Sequence, residues 1–378
     1  MTEFRRAQSA VAALFFFLGF QYSTWAARIP ALAERLQITA GEVGVLLLSA
    51  GIGAAVSAPI VGKLMAAFGS RRLSLLSACG IMAALAGLVA APNYSLALVA
   101  LFVDGIAVGC LNVAMNAQGA VLERKFEQAT MAKLHALFSG GIFAAALFAA
   151  GVSLFSQNLV VLFAAAGVVL ALLLWWARGG LLVEDLPGKA GERGGGWTWP
   201  MAWLAAAMVL ATVTEGAMTD WSALYLKDIA HASPSVLPLG IAAFSGAMVV
   251  ARLFADGWRV RWGDRRVVLV GGTLAGTGLA LALLTGGVVP ALAGFACVGL
   301  GMAAVTPCLY VAAARQGPAA LTAVSAMGTT GLLAGPPVIG FIAEYAGLVA
   351  GMTVVAATAW LAMVCVARAP FDVVQKTI

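Results

Sequence analysis

Twelve stretches of roughly twenty mostly apolar residues succeed one another along this chain, separated by short polar or glycine-rich turns. A helix of about twenty residues, rising about 1.5 Å per residue, crosses the ~30 Å hydrocarbon core of a bilayer. The stretches lie near 8–29, 42–64, 73–91, 95–121, 133–155 and 159–177, then near 200–225, 236–257, 267–287, 289–313, 321–344 and 347–368. Composition agrees: 62% of the 378 residues are hydrophobic, 10% are charged, and the mean hydropathy is +0.98. Soluble domains carry about 25% charged residues. Water could not solvate this surface, so lipid does. The expected fold class is an all-α membrane protein with twelve transmembrane helices in two pseudo-symmetric six-helix bundles.

Charge placement orients the chain. The net charge is +6, which in a soluble protein would point to nucleic acid. With the N-terminus in the cytoplasm, 19 of the 22 Lys and Arg fall on the inner side, leaving Arg28, Arg35 and Lys227 outside. That bias places both termini in the cytoplasm and accounts for the basic character without nucleic acid. The first apolar stretch, Ala7 to about Arg28, is longer than a signal-peptide core and is followed by further spans, so it reads as a retained helix.

The longest inner connection, 179–199, is rich in Gly and charge (Glu184, Asp185, Lys189, Glu192, Arg193), which suits a flexible tether. It divides the chain into an N-terminal bundle, 1–178, and a C-terminal bundle, 200–378. Gly69-Ser70-Arg71-Arg72 after span two recurs as Gly263-Asp264-Arg265-Arg266 after span eight, 194 residues later. With matching span positions, this reads as an internal duplication.

Catalytic signatures are missing. There is no phosphate-binding loop, no H-E-x-x-H and no G-x-S-x-G. His135 and His231 are the two histidines, too few for a zinc cluster, and Cys79, Cys110, Cys297, Cys308 and Cys365 sit in apolar runs as packing residues. An enzyme, a metal centre and a cofactor are therefore not expected.

Polar side chains inside the spans carry the information, since an ionisable group at mid-bilayer costs about 2.5–3.5 kcal/mol on insertion scales. On span four, Asn112, Asn116, Gly119 and Glu123 share a helical face, and Asp104 lies deeper. That face lines a cavity or bonds to another helix. Glu123, beside Arg124 and Lys125, suits a gate or plain solvation. On span seven, Glu215 is fifteen residues past Pro200, about 22 Å along the helix. A carboxyl group that alternates between an apolar pocket and water can take up and release a proton. The alternative is a structural carboxylate paired with a distant arginine such as Arg28. Asp220 and Trp221 lie nearer the outer interface.

On span one, Gln21, Thr24, Trp25 and Arg28 form a polar-aromatic stripe, the combination that holds a sugar ring; Trp25 equally suits an interfacial anchor. Arg252 and Asp256 are spaced to pair on one helix. His135 begins span five as a gate or packing residue. Pro59, Pro307, Pro336 and Pro337 are expected to bend or break spans two, ten and eleven.

Twelve spans split six and six, a central inner loop and a basic loop after span two resemble the major facilitator superfamily. Its G-x-x-x-D-R-x-G-R-R loop reads here Gly62 through Arg72, with Ala66 and Ala67 where the family has Asp and Arg. Trp25-Ala26-Ala27-Arg28-Ile29-Pro30, Asn116-Ala117-Gln118-Gly119, His135 through Ser139, Glu215-Gly216 with Asp220-Trp221, and Gly335-Pro336-Pro337 with Gly340 are similar to the fucose permease-like and rhizopine-type branch. In that branch an acid commonly stands where this chain has Asn112.

The resemblance implies alternating access in a bacterial-type inner membrane, with solute held between spans one, four, seven and ten. It assigns Gln21, Trp25, Asn112, Asn116, Glu215 and Thr219 to the solute, Glu215 or Asp104 to the proton, and Arg71, Arg72, Glu123, His135, Arg252 and Asp256 to gating. The expected partners are a small-molecule solute, protons or another coupling ion, and the lipid bilayer, around a monomer. The expected activity is proton symport of a sugar or sugar-like polyol. A drug or metabolite exporter is the rival within the fold, disfavoured because Phe138 through Phe143 lacks the exporters' span-five proline. A solute sensor is disfavoured by the short tails Met1–Arg6 and Ala369–Ile378.

Overall fold

The computed structural model describes residues 2–128, 130–183, 199–369 and 371. Residues 184–198 of the expected tether, with Lys189 and Arg193, and Lys376 near the C-terminus lie outside the described residues.

The first half comprises α1 (Glu3–Ala26), α2 (Ile29–Leu36), α3 (Ala40–Ala90), α4 (Tyr94–Phe126), α5 (Met131–Ser153) and α6 (Leu159–Arg178). The second comprises α7 (Trp199–Asp228), α8 (Leu239–Trp262), α9 (Asp264–Thr285), α10 (Val288–Met302), α11 (Val305–Arg315), α12 (Pro318–Ala346) and α13 (Leu348–Arg368). Eleven of the described helical stretches are long and apolar enough to cross a membrane. The longest, α3, has 51 residues and would measure about 76 Å if straight, more than twice a bilayer core. It breaks at Gly69 (φ 69°, ψ 163°), a left-handed position open to glycine, and so supplies spans two and three. Twelve spans result.

Two details depart from the sequence reading, and a third agrees with it. Span one ends at Ala26, and the segment after it is the short helix α2, begun by Pro30 in its first turn and closed by left-handed Gln37 (φ 54°). Thr39 then starts α3 with a capping box: its hydroxyl accepts from Glu42 N at 3.2 Å while the Glu42 carboxylate accepts from Thr39 N at 2.8 Å. Second, the helices run unbroken through Pro59 and through Pro336–Pro337. A proline removes one ladder bond, and neighbouring helices hold the rest in place. Third, span ten does break, at Ala303–Ala304, with Pro307 in the first turn of α11.

The chain falls into two compact units. One holds α1–α6 together with Ser233–Ala242; the other holds α7, α8 from Ala243 onward, and α9–α13. In the first, small residues let backbones touch. A Cβ on Gly19 of α1 would meet Phe138 O of α5 at 2.0 Å, and one on Gly105 of α4 would meet Ala50 O of α3 at 1.9 Å. In the second unit, a Cβ on Gly299 of α10 would meet Phe244 O of α8 at 2.0 Å.

Gly299 and Phe244 stand 194 residues beyond Gly105 and Ala50. The same offset carries Gly69 (φ 69°) to Gly263 (φ 80°), and Asn93, the N-cap of α4, to Gly287, the N-cap of α10. The internal duplication is thus written in helix crossings and breaks. Large apolar side chains such as Leu253, Val270 and Leu284 (75%, 69% and 83% exposed) stand outward, a surface that lipid solvates.

Candidate functional site

In the second unit, polar chemistry gathers where α7 meets the break in span ten. The Thr306 hydroxyl, in the first turn of α11, donates to Glu215 Oε1 at 2.6 Å. Arg252 of α8 lies close enough for its charge to act on Glu215, and its Nε donates to Ala303 O, at the break itself, at 3.5 Å. Tyr310, one turn along α11 and hydrogen-bonded to Ser325 of α12, is also within reach of the Glu215 charge. The break makes this possible: it interrupts the helix beside the carboxylate and presents a threonine there instead of apolar side chains. Thr219, one turn further along α7, is buried, as is Asp220. Thr214 shares a 2.9 Å hydroxyl–hydroxyl bond with Thr358 of α13.

Arg28 finds its hydrogen-bond partners within the first unit. Its guanidinium donates to Ser153 Oγ (3.0 Å), Gln157 Oε1 (3.4 Å) and Gln157 O (3.0 Å), tying the end of α1 to the end of α5. Arginine reaches several acceptors at once, so three neutral oxygens at the end of α5 hold it in place of a carboxylate.

In the first unit, Gln21 Nε2 donates to both Asp104 oxygens, at 3.0 and 3.2 Å, and both residues are buried. Asp104 precedes Gly105, at the tightest approach of α3 and α4, so the carboxylate is held deep between helices. Trp25 is buried too, its ring meeting Tyr22 edge-on at 5.7 Å. Gln21 and Trp25 thus face inward, whereas Asn112 is exposed and Asn116 half-buried. Asn116 Nδ2 donates to Asn112 Oδ1 (2.7 Å) and to Asn112 O (2.8 Å), forming an accessible amide pair on α4.

Of the residues expected at the gates, Glu123 caps α5: one carboxylate oxygen accepts from Thr130 N (2.5 Å) and Met131 N (2.7 Å). Arg71 donates to Arg178 O, the last residue of α6, at 3.2 Å, and Arg72 is exposed. His135 is exposed and meets Phe15 edge-on at 5.1 Å. Asp256 pairs with Arg259 at 3.2 Å, and Arg252 turns toward Glu215 and Ala303.

Two knots were not foreseen. Asp264 Oδ1 accepts from Arg259 at 2.8 Å and its Oδ2 pairs with Arg315 at 3.3 Å. In the first unit, Gln118 Nε2 donates to Ser70 Oγ (2.6 Å) and Leu182 O (2.8 Å), and its Oε1 accepts from Leu182 N (2.8 Å). The 194-residue repeat could have found them, because Asp264 is the counterpart of Ser70. It also matches Glu215 with Gln21 and Thr306 with Asn112.

The sequence model of the Major Facilitator Superfamily matches residues 10–314. An uncharacterized MFS-type transporter of Yersinia pestis is 34% identical over 343 residues, 88% of each chain. The membrane protein MosC of Rhizobium meliloti is 34% identical over 352 residues, 90% of this chain and 84% of that one. The uncharacterized transporter y4wD of Sinorhizobium fredii is 34% identical over 349 residues, 89% of this chain and 91% of that one. The solved structure of the nucleoside transporter NupG superposes with a TM-score of 0.71 at 14% identity, covering 97% of this chain and 98% of that one, a likeness of fold. Twelve spans, the repeat in the crossings and polar groups sunk into the helices meet these matches on common ground: the chain is a multi-pass membrane transporter that belongs to the Major Facilitator Superfamily.

Proposed function

We propose that this chain is a secondary active carrier in a bacterial-type inner membrane, importing a sugar or sugar-like polyol by proton symport and alternating access. The observation that carries the reading is the Glu215 carboxyl, midway along α7, with Thr306 as hydrogen-bond partner and Arg252 in reach. An ionisable group there costs stability, so a chain that keeps one has a use for it. A hydroxyl suits a group that gains and loses a proton: Thr306 donates to the carboxylate and, after rotating, accepts from the acid. Arg252 offsets the negative charge once the proton has left.

Asn112 and Asn116 supply the solute contacts in this reading. Their mutual amide bond is accessible, so the same donors and acceptors can turn to the hydroxyls of a solute. Gln21 serves Asp104, which is the second carboxyl able to carry a proton, and Trp25 and Thr219 shape the walls. The distribution of Lys and Arg supports cytoplasmic termini.

Thermal-shift screening against monosaccharides, polyols, nucleosides and amino acids identifies the solute, and uptake into proteoliposomes tests the residues. Glu215→Gln is expected to abolish uptake driven by a pH gradient while solute exchange across the membrane continues. Asn116→Ala is expected to raise KM about tenfold, the loss of roughly one good hydrogen bond. Wild-type transport in both variants would overturn the assignment.

A further inference from the structure

Six to ten residues beyond Glu215, the end of α7 remote from Trp199 buries three polar atoms with no hydrogen-bond partner among the described residues: Trp221 Nε1, Ser222 Oγ and Tyr225 OH. These side chains are among the most enclosed in the protein, with Trp221 and Ser222 at 0% exposure and Tyr225 at 1%. Tyr225 packs edge-on against Phe295 of α10, ring centroids 5.9 Å apart, so its hydroxyl is held in place. One buried orphan is a local cost; three within five residues on one helix mark a polar site that an unfilled interior would not tolerate.

Water is the ligand small enough and versatile enough to pair with all three. The indole N–H donates alone, whereas each hydroxyl donates and accepts, so the group can anchor water at one point and relay through it at two. Spacing along α7 fits the same ligand. Glu215, Thr219 and Ser222 recur at four and three residues on one face, and Tyr225 follows three residues on, rotated by about 60°. The successive rises are about 6, 4.5 and 4.5 Å. Two hydrogen bonds through one water span about 5.6 Å, so single waters close each gap.

We propose that Trp221, Ser222 and Tyr225 hold a short file of ordered waters that, with the Thr219 hydroxyl, delivers protons between the far end of α7 and Glu215. This rests on the proposed role of Glu215 as proton carrier. A proton entering at the Tyr225 end passes by exchange: each oxygen accepts one proton and releases another to its neighbour. The last water protonates the carboxylate, and the file returns to its starting hydrogen content. In the first unit, Arg28 occupies the position matching Ser222, and its unpartnered Nε, like that of Trp25, can only donate.

Two measurements on the full chain in lipid nanodiscs test this without a solute. X-ray radiolysis in ¹⁸O-water makes hydroxyl radicals from bound water, which label adjacent side chains even when those are buried. Trp221 and Tyr225 are expected to label about tenfold faster than the equally enclosed Phe15 and Phe17 of α1, because bound water rather than exposure sets the rate. Equal rates would remove the water site. Infrared hydrogen–deuterium exchange then follows the carboxylic-acid band that Glu215→Gln abolishes. Ser222→Ala and Tyr225→Phe are expected to slow its exchange about tenfold, the low end of what a positioned proton donor contributes. Wild-type exchange in both variants would overturn the relay. If the water labels appear but Glu215→Gln removes no band, the delivery role falls through the assignment of Glu215, and the hydration of α7 stands.

Discussion

The helix breaks at Gly69 and Gly263 are equivalent in the repeat, yet the knots beside them are built from different chemistry. In the first unit the knot is neutral and enclosed: Gln118 joins Ser70 to both backbone groups of Leu182, and Ser70 and Gln118 are completely buried. In the second unit the knot is ionic and partly open, with Asp264 shared by Arg259 and Arg315, whose side chains are 10%, 22% and 49% exposed. Ser70 and Asp264 occupy the same repeat position, so one site has been filled in two ways. A neutral amide gives up modest hydration and needs full pairing; an aspartate in the same place needs cations, and the sequence provides two. The loss of Asp and Arg at Ala66 and Ala67 therefore does not leave the first unit's loop unsecured; it is secured without charge.

The sharpest break of this comparison is Asp264→Ala. It takes a carboxylate from each of two arginines, leaving Arg259 with Asp256 and Arg315 with the Phe371 carbonyl, and is expected to cost about 2.5 kcal/mol, below the range for breaking a fully buried pair because Arg315 is half-exposed. Thermal unfolding of the detergent-solubilised protein would show a large drop in midpoint. A variant within 1 °C of wild type would mean that the arginines find water at no loss and the ionic knot contributes little.

Gln118→Ala strikes the neutral knot. It takes the side-chain partner from the Leu182 N–H and carbonyl and one contact from the Ser70 hydroxyl, at an expected cost of about 2 kcal/mol, whereas Ser70→Ala takes a single contact from Gln118 and should cost about 1 kcal/mol. The ordering Gln118 before Ser70, read from the same unfolding midpoints, separates a three-way junction from a simple pair. Equal effects would show that the Leu182 contacts contribute nothing.

How much of this was legible beforehand follows from the range of each interaction. The spans could be read because lipid demands a run of apolar residues, and that demand is local. The break at Gly69 fell in a recognised turn for the same reason. The short helix α2 was hidden: eight residues beginning Ile29-Pro30 look like a loop opener. Proline marked four positions, but whether a helix breaks at one depends on support from its neighbours, so Pro307 and the pair Pro336–Pro337 share a signature and differ in outcome.

Partner choice was the least legible layer. Gln21 with Asp104 and Thr306 with Glu215 are separated by 83 and 91 residues, and nothing in either segment names the other. Polarity inside a span told which residues need partners, and only packing told which partner each had found. The span-one stripe shows the consequence. Gln21, Thr24 and Trp25 lie on α1 and are buried, with Gln21 turned to Asp104, whereas Arg28 falls beyond the helix end at Ala26 and reaches Ser153 and Gln157.

The smallest effect separates the two knots by mechanism instead of by size. Exposed charge pairs are screened by salt, with a Debye length of about 10 Å at 0.1 M and about 3 Å at 1 M. Because Arg315 is half-exposed, raising potassium chloride across that range should weaken the ionic knot by about 0.5 kcal/mol, near the middle for exposed pairs. That corresponds to roughly 1–2 °C in the unfolding midpoint. General salt effects on the rest of the protein are removed by making the same titration on Asp264→Asn and on Gln118→Ala. The salt-dependent increment should vanish in the first variant and persist in the second, since a neutral amide junction offers nothing for ions to screen. If instead the increment survives in Asp264→Asn, the salt-sensitive charges lie elsewhere, and the two knots differ in composition but not in the kind of force that closes them.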